Sequence, residues 1–221
     1  ANEFKIPCIG GKVSLYNETP SGPIKPTPLI GVLGLIDKKP LVSQKIQSGD
    51  NLVIIGDTQD ELGGSEYFEY IHKFIGGNCP TVDFKESKKN MKSVLDSIKQ
   101  QIPKSVHDCS KGGLAVAVAE LCMTNQIGCK VSLNKVPGEK LTDDRILFSE
   151  SHSRYLLTID EKNIKKLESI LKKNKVSFQI IGKFGGKKIQ FTNGTKSIIT
   201  LGVDKAQKTW LNSLKNLVLH S

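Results

Sequence analysis

Several features are scarce in this 221-residue sequence, and each scarcity excludes a class of protein. No run of about 20 apolar residues is present, so no transmembrane helix is expected. No charged-then-apolar segment suggests a signal peptide. The four histidines lack the paired spacing of a zinc enzyme. The five cysteines form no Cys-x-x-Cys pair, so neither a zinc site nor a redox motif is predicted, and we expect free thiols in a reducing cytoplasm.

Arginine is nearly absent, although the chain is basic. Lysine and arginine total 32 against 22 acidic residues, a net charge of +10, and only Arg145 and Arg154 are arginines. The lysines lack the interleaved aromatic residues that a single-strand nucleic-acid surface uses. We therefore expect a solvated lysine surface rather than a nucleic-acid site, one that attracts anionic phosphate ligands over long range.

The chain is predicted to contain the end of one domain, residues 1–47, and a second domain, residues 48–221. The apolar and proline patterns of the first part predict short strands at 6–9 and 13–16, a loop at 19–28 and a buried strand at 29–36. A link over residues 37–49, containing lysine and proline, then leads to the second domain.

The second domain is predicted to be α+β, a mixed β-sheet covered by helices. Apolar spacing predicts amphipathic helices near 67–75, 91–102, 164–171 and 210–217, and a buried helix at 114–123. The buried stripe of the second of these helices is expected to consist of Met91, Val94, Leu95, Ile98 and Ile102. Apolar runs predict strands at 52–55, 155–159, 178–181, 188–191 and 198–201.

Two glycine-rich segments are candidate anion sites. In Gly-Gly-Lys-Val-Ser at 10–14, the glycines allow close backbone approach to a phosphate, Lys12 adds a positive charge and Ser14 a hydroxyl; a simple turn is the alternative. Glu-Leu-Gly-Gly-Ser-Glu-Tyr at 61–67 precedes a predicted helix. Ser65 is expected to be its N-cap, and Gly64 could offer a bare backbone N–H to an anion.

Two polar segments flank apolar ones. In His-Asp-Cys-Ser-Lys-Gly-Gly at 107–113, Asp108 is either a Mg²⁺ ligand or the N-cap of the buried helix, and His107 is expected to be a core or turn residue rather than a base. In Leu-Phe-Ser-Glu-Ser-His-Ser-Arg at 147–154, Arg154 indicates planar, bidentate binding. Its partner could be a phosphate, Glu150 or another carboxylate.

Five segments, in this order, resemble the second half of the synthetase subunit of phosphoribosylformylglycinamidine synthase, in its small-subunit form. They are 10–18, 26–34, 61–67, 107–117 and 147–154. The resemblance covers nearly the whole chain. It implies an aminoimidazole-ribonucleotide-synthetase-like C-terminal domain over 48–221, preceded by the end of an incomplete N-terminal-type, ATP-binding domain.

The family's reaction follows from the resemblance. Formylglycinamide ribonucleotide, ATP and ammonia derived from glutamine give the amidine, ADP and phosphate, with Mg²⁺ as cofactor. Implied partners are a glutaminase subunit, a small accessory subunit and the missing N-terminal half, which holds the catalytic histidine. No catalytic residue is therefore expected here, and the chain alone is expected to be inactive.

The resemblance also assigns roles to single residues. Gly11 matches an ATP-contacting position and Ser14 a substrate-contacting serine. Lys12 stands where the family usually has a Mg²⁺-binding asparagine, and a protonated lysine cannot ligate a cation. Gly64, Ser65, Asp108, Glu150 and Arg154 are candidates for an auxiliary nucleotide or phosphate site. Lys111 replaces a more typical carboxylate, which weakens a metal site there.

Alternatives remain open at this level. The chain could belong to another enzyme of the same ATP-dependent superfamily, or act as a scaffold that binds no nucleotide. Strands missing from the first domain would leave an open sheet edge, which predicts a possible homodimer.

Overall fold

The computed structural model describes residues 1–36 and 41–219. It divides into two compact units, Ala1–Lys39 and Pro40–Ser221. The predicted domain boundary near residue 48 stays a prediction. Residues 37–40 of the predicted link lie outside the described residues.

The first unit has little regular structure. A single 3-10 turn, Asn2–Phe4, is followed by a two-residue hairpin of β1 (Glu18–Thr19) and β2 (Gly22–Pro23) within the described residues. The predicted strands at 6–9, 13–16 and 29–36 are wrong, since these segments are irregular and Leu29 is 97% exposed. An apolar strand needs a paired neighbour and a covering layer, and the described part of this unit supplies neither.

The second unit is built on a mixed seven-stranded sheet, which confirms the predicted α+β class. In chain order its strands are β3 (Asn51–Ile55), β4 (Ser105–Asp108), β5 (Cys129–Ser132), β6 (Tyr155–Ile159), β7 (Phe178–Phe184), β8 (Lys188–Asn193) and β9 (Lys196–Gly202). Their spatial order is β4-β6-β3-β7-β5-β8-β9, with β5 and β8 parallel and the other neighbours antiparallel. All five predicted strands are present, whereas β4 and β5 were not predicted.

Helices cover both faces of the sheet. They are α1 (Glu66–Tyr70), α2 (Phe84–Lys99), α3 (Gly113–Asn125), α4 (Asp143–Phe148), α5 (Ile164–Lys173) and α6 (Val203–Leu219). Leu52 and Ile54 pack in the cluster with α3, α4 and α6, while Val53 and Ile55 pack with α2 and α5. Because successive strand residues face opposite sides, all five residues of β3 are buried. None of the described helices is long and apolar enough to cross a membrane.

The predicted helix at 67–75 is wrong in its length. Helix α1 ends at Tyr70, and Lys73 adopts a left-handed backbone conformation with φ 54°. The chain turns there so that the Phe74 N–H donates to the Phe68 carbonyl at 3.0 Å, and the two rings meet edge to face. Ile71 and Ile75 remain exposed.

The predicted stripe of α2 is confirmed only in part. Val94 and Ile102 are buried and Ile98 packs against the same core cluster, but Met91 and Leu95 are 44% and 49% exposed. The buried face consists largely of small polar residues, namely Ser87, Asn90, Ser93 and Ser97. Hydrogen bonds to carbonyls and side chains offset much of the cost of their burial. Apolar spacing alone could not find the polar part of this face.

A matched pair of leucine truncations tests this orientation. Leu171→Ala, at a fully buried position of α5, should lower the free energy of unfolding by about 2 to 5 kcal/mol. Leu95→Ala should lower it by no more than about 0.5 kcal/mol, as at a surface position. Urea denaturation followed by circular dichroism measures both, and equal losses would contradict the assigned face of α2.

Candidate functional site

The two polar motifs at 61–67 and 147–154 lie side by side. The Glu61 N–H donates to the Ser149 hydroxyl at 3.3 Å, and the Glu150 N–H donates to the Glu61 carbonyl at 3.0 Å. The Gln59 N–H donates to the Ser151 hydroxyl at 3.1 Å. Ser149 and Ser151 therefore act as partners of the neighbouring loop backbone.

Arg154 is 1% exposed and holds this arrangement from beneath. Its guanidinium donates from Nε to the Ser151 carbonyl at 3.1 Å, from Nη1 to Thr58 Oγ1 at 3.0 Å and from Nη2 to the Ser149 carbonyl at 2.5 Å. Burial lowers its pKa. Neutral oxygens accept all three bonds, so none of them goes to the predicted carboxylate, while a phosphate partner stays a prediction.

Glu150 joins the starts of two helices. Its Oε1 accepts from the Gly112 N–H at 2.9 Å, at the N-cap of α3, and from the Glu66 N–H at 3.0 Å, in the first turn of α1. A carboxylate is favoured at such positions by the helix dipole. It occupies the N–H groups that an external anion would need.

Of the two predicted N-caps, Ser65 and Asp108, only Ser65 caps its helix. The Ser65 hydroxyl accepts from the Phe68 N–H at 3.2 Å, which confirms Ser65 as the N-cap of α1. Asp108 is not the cap of α3: it ends strand β4, and Gly112 caps the helix without a side-chain bond. The unpredicted strand β4 places Asp108 four residues before that cap.

Glycines in both motifs allow contacts between backbone segments. A Cβ on Gly113 would lie 2.5 Å from the Ser149 carbonyl oxygen, and Gly113 has φ 64°. A Cβ on Gly63 would lie 2.0 Å from the Asn78 carbonyl oxygen. Close approach is thus to the protein's own backbone, where the sequence had suggested a phosphate.

An open pocket of about 380 Å³ lies where β4 ends and β6 begins. It is lined by Pro80, Asp108, Cys109, Ser110, Lys111, Glu150, His152, Ser153, Arg154 and Tyr155. Three auxiliary-site candidates, Asp108, Glu150 and Arg154, are therefore brought together, while Gly64 and Ser65 do not line it. Tyr155 was missed, although it faces Asp108 across the β4–β6 pair; recognising β4 would have found it.

The mouth of the pocket carries mixed charge. Lys111 Nζ lies 2.9 Å from Glu66 Oε1, and this hydrogen bond raises the lysine's pKa. The described residues contain no group of three or more His, Cys, Asp or Glu side chains that could hold a metal ion. Among those residues, Asp108 thus has no group of further acidic, histidine or cysteine side chains with which to form a metal site made wholly of protein ligands.

The remaining candidates lie elsewhere in the chain. Gly11, Lys12 and Ser14 belong to the first unit, on an irregular and exposed segment. In the second unit, His107 Nδ1 lies 2.6 Å from the Asp108 carbonyl oxygen, and its Nε2 lies 3.4 Å from Glu120. His107 is a half-buried strand residue outside the lining of the pocket.

The fold and the pocket define a class: a three-layer domain with a mixed sheet and a polar pocket at the strand ends. A family model described as "AIR synthase related protein, C-terminal domain" matches residues 47–192. The chain belongs to this family.

Longer relatives match almost the whole chain. Over 99% of its own length, this chain is 38% identical to phosphoribosylformylglycinamidine synthase subunit PurL of Methanocaldococcus jannaschii. Over 99% of its length it is also 35% identical to the same subunit of Thermococcus sibiricus. It spans only 30% of the length of each of these relatives.

Solved structures share the fold. Thermotoga maritima PurL complexed with FGAR superposes with a TM-score of 0.69 at 18% identity, over 76% of this chain and 29% of that one. The same protein complexed with ATP gives 0.63 at 19% identity, over 76% and 27%. The T. maritima structure called PurLQS gives 0.62 at 17%, over 75% and 27%.

Two glycine variants separate backbone contact from backbone conformation. Gly113 and Gly194 both have positive φ, but only Gly113 has backbone oxygens within reach of a Cβ. Gly194→Ala should cost about 1 to 2 kcal/mol of stability. Gly113→Ala should cost about 1 to 3 kcal/mol more because of the clash. Equal unfolding midpoints in urea would contradict the close contact.

Thiol reactivity tests the closure of the pocket floor. Burial raises the pKa of Cys109 to about 11 and of Cys122 to about 12, and raises that of Cys129 well above its usual value. Their thiolates are therefore scarce at pH 8. Dithionitrobenzoate should label the exposed Cys8 and Cys79 quickly and the other three slowly.

Two controls accompany this measurement. All five thiols should react quickly in urea, and Cys79→Ser should remove one fast equivalent. A third fast equivalent in the native protein that Cys109→Ser removes would show that the pocket opens to solvent at Cys109.

Proposed function

We propose that this chain is part of a synthetase subunit of phosphoribosylformylglycinamidine synthase, containing its second C-terminal-type domain. The full subunit would convert formylglycinamide ribonucleotide, with ATP and glutamine-derived ammonia, to formylglycinamidine ribonucleotide in purine biosynthesis. The observation that carries the proposal is the match to PurL at 38% identity along 99% of the chain. The five ordered motifs lie within that match.

Partners and compartment follow from the same assignment. The glutaminase and accessory subunits would supply ammonia, and the missing N-terminal half would supply the catalytic histidine and most metal carboxylates. Gly11 and Ser14 would complete that half's ATP and substrate sites, with Lys12 beside the phosphates. We place the assembly in the cytoplasm, with no role in binding nucleic acid or membranes.

Within this chain we assign the 380 Å³ pocket to an auxiliary nucleotide. Lys111 and His152 stand at its exposed side and could face anionic phosphates. Asp108 could accept from a ribose hydroxyl, as carboxylates do. Arg154 and Glu150 act indirectly, by holding the walls.

Calorimetric titration with ADP tests this assignment. ADP should bind equally with Mg²⁺ or with EDTA present, because the described residues do not assemble a metal site. Lys111→Ala should weaken binding roughly tenfold, which corresponds to about 1.4 kcal/mol. Lys188→Ala removes an exposed lysine of β8 outside the pocket lining and should leave affinity unchanged.

The opposite results have distinct meanings. If the folded chain releases no heat with ADP, the nucleotide assignment is rejected and the scaffold alternative gains support. The chain alone should release no phosphate from ATP with formylglycinamide ribonucleotide and ammonium present. Turnover under those conditions would contradict the placement of the catalytic groups in the missing half.

A further inference from the structure

The turn between β8 and β9 contains the only asparagine of the chain that is followed by glycine, Asn193-Gly194. Asn193 ends β8 and pairs with Lys196 across the hairpin, and Gly194 has φ 58°. Asn-Gly is favoured in tight hairpin turns because both residues tolerate positive φ, so turn geometry accounts for the presence of the pair. The same pair also leaves an asparagine amide beside a backbone nitrogen that can attack it.

The turn is open to that attack and to water. Asn193 and Gly194 are both exposed. A Cβ built on Gly194 would meet no heavy atom within 4 Å, so the space around this residue is empty of protein. Because glycine has no Cβ, its backbone can bend toward the preceding side chain with little steric resistance. The turn therefore combines an amide, a sterically open nitrogen and access for water.

The Asn193 amide has one partner that makes its chemistry matter to the fold. Its Nδ2 donates to Asp143 Oδ1 at 2.7 Å, and Asp143 is the first residue of α4. This hydrogen bond joins the hairpin to the helix that leads to Glu150 in the wall of the pocket. A carboxylate in place of the amide would remove the donor and bring two negative charges together, which repel each other.

We propose that Asn193 is a site of spontaneous deamidation, and that the carboxylate formed there releases the β8–β9 turn from the start of α4. The inference concerns the chain itself and does not depend on the proposed function of the pocket.

The chemistry needs only water as a co-reactant. The Gly194 backbone nitrogen gives its proton to water and forms a bond to Cγ of Asn193. The bond from Cγ to Nδ2 breaks, and the departing nitrogen takes a proton from solvent and leaves as ammonia. One water molecule then opens the cyclic imide, at Cγ to give aspartate or at the backbone carbonyl to give isoaspartate, and returns the proton to the Gly194 nitrogen. Nothing is oxidised or reduced.

Peptide mapping by mass spectrometry tests the reaction on the whole folded chain, incubated at mildly alkaline pH in water enriched in heavy oxygen. The peptide that contains Asn193 should exchange its amide for a carboxyl group with one heavy oxygen and appear as two isomers. Asn212, which precedes a serine within α6, is the internal control and should keep its amide because the helix holds its backbone. Gly194→Ala should slow the conversion at least about tenfold, since a Cβ restricts the attacking backbone.

Stability measurements test the contact with Asp143. Asn193→Asp reproduces the product and should lower the urea midpoint more than Asn193→Ala, which removes the hydrogen bond without adding charge. Combining Asn193→Asp with Asp143→Asn exchanges the amide and the carboxylate between the two positions. Because the donor and the acceptor are then both present again, the double variant should regain most of the midpoint lost by Asn193→Asp.

Either of two results would overturn the proposal. If the Asn193 amide persists in the folded chain while the same peptide deamidates in urea, the folded turn is not a deamidation site. If Asn193→Asp is no less stable than Asn193→Ala, or the exchange with Asp143 restores nothing, the carboxylate does not act through α4.

Discussion

The second unit depends on one buried guanidinium. Arg154 is 1% exposed, and three of its N–H groups donate to oxygens of Thr58, Ser149 and Ser151. These oxygens belong to the segment after β3 and the segment before β6. A lysine could not take its place, because only the planar guanidinium presents several donors in a fixed arrangement. The positions of the pocket walls are therefore fixed by Arg154, whose side chain is almost completely buried beneath them.

Glycines and Glu150 also hold the two polar motifs together. Gly113 lets the start of α3 approach the carbonyls of residues 147–149, and the Glu150 carboxylate then accepts from Gly112 and Glu66. Each motif thus supplies groups that complete the other. This mutual arrangement gives the polar residues between the apolar runs a structural role: their partners are neighbouring backbone groups, which must be satisfied when buried.

The sequence predicted strands that are fully buried, but it did not predict strands that are held mainly by hydrogen bonds to their neighbours in the sheet. Strand β3 is covered on both faces, so its apolar run was unmistakable. Strand β4, Ser-Val-His-Asp, and β5, Cys-Lys-Val-Ser, are held by their neighbours in the sheet and have no strong pattern of their own. Helix α2 buries serines beside its apolar residues, so apolar spacing found the core-facing Val94, Ile98 and Ile102 but also included the exposed Met91 and Leu95. The pocket could be predicted as a set of motifs, but not the partners of Arg154 and Glu150, which require three-dimensional contact.

Several side chains of the pocket already bind the protein's own backbone, which limits the groups that can contact a ligand. Glu150 and Arg154 are engaged in holding backbone, and burial raises the pKa of the Cys109 thiol to about 11, so it is a poor nucleophile. The charged and titratable side chains that remain include Asp108, His152, Tyr155 and Lys111, of which Lys111 already pairs with Glu66. Such a set can orient an anion and a hydroxyl group. Because nucleophilic catalysis needs an activated nucleophile beside an oriented base, the described part of this pocket is suited to binding.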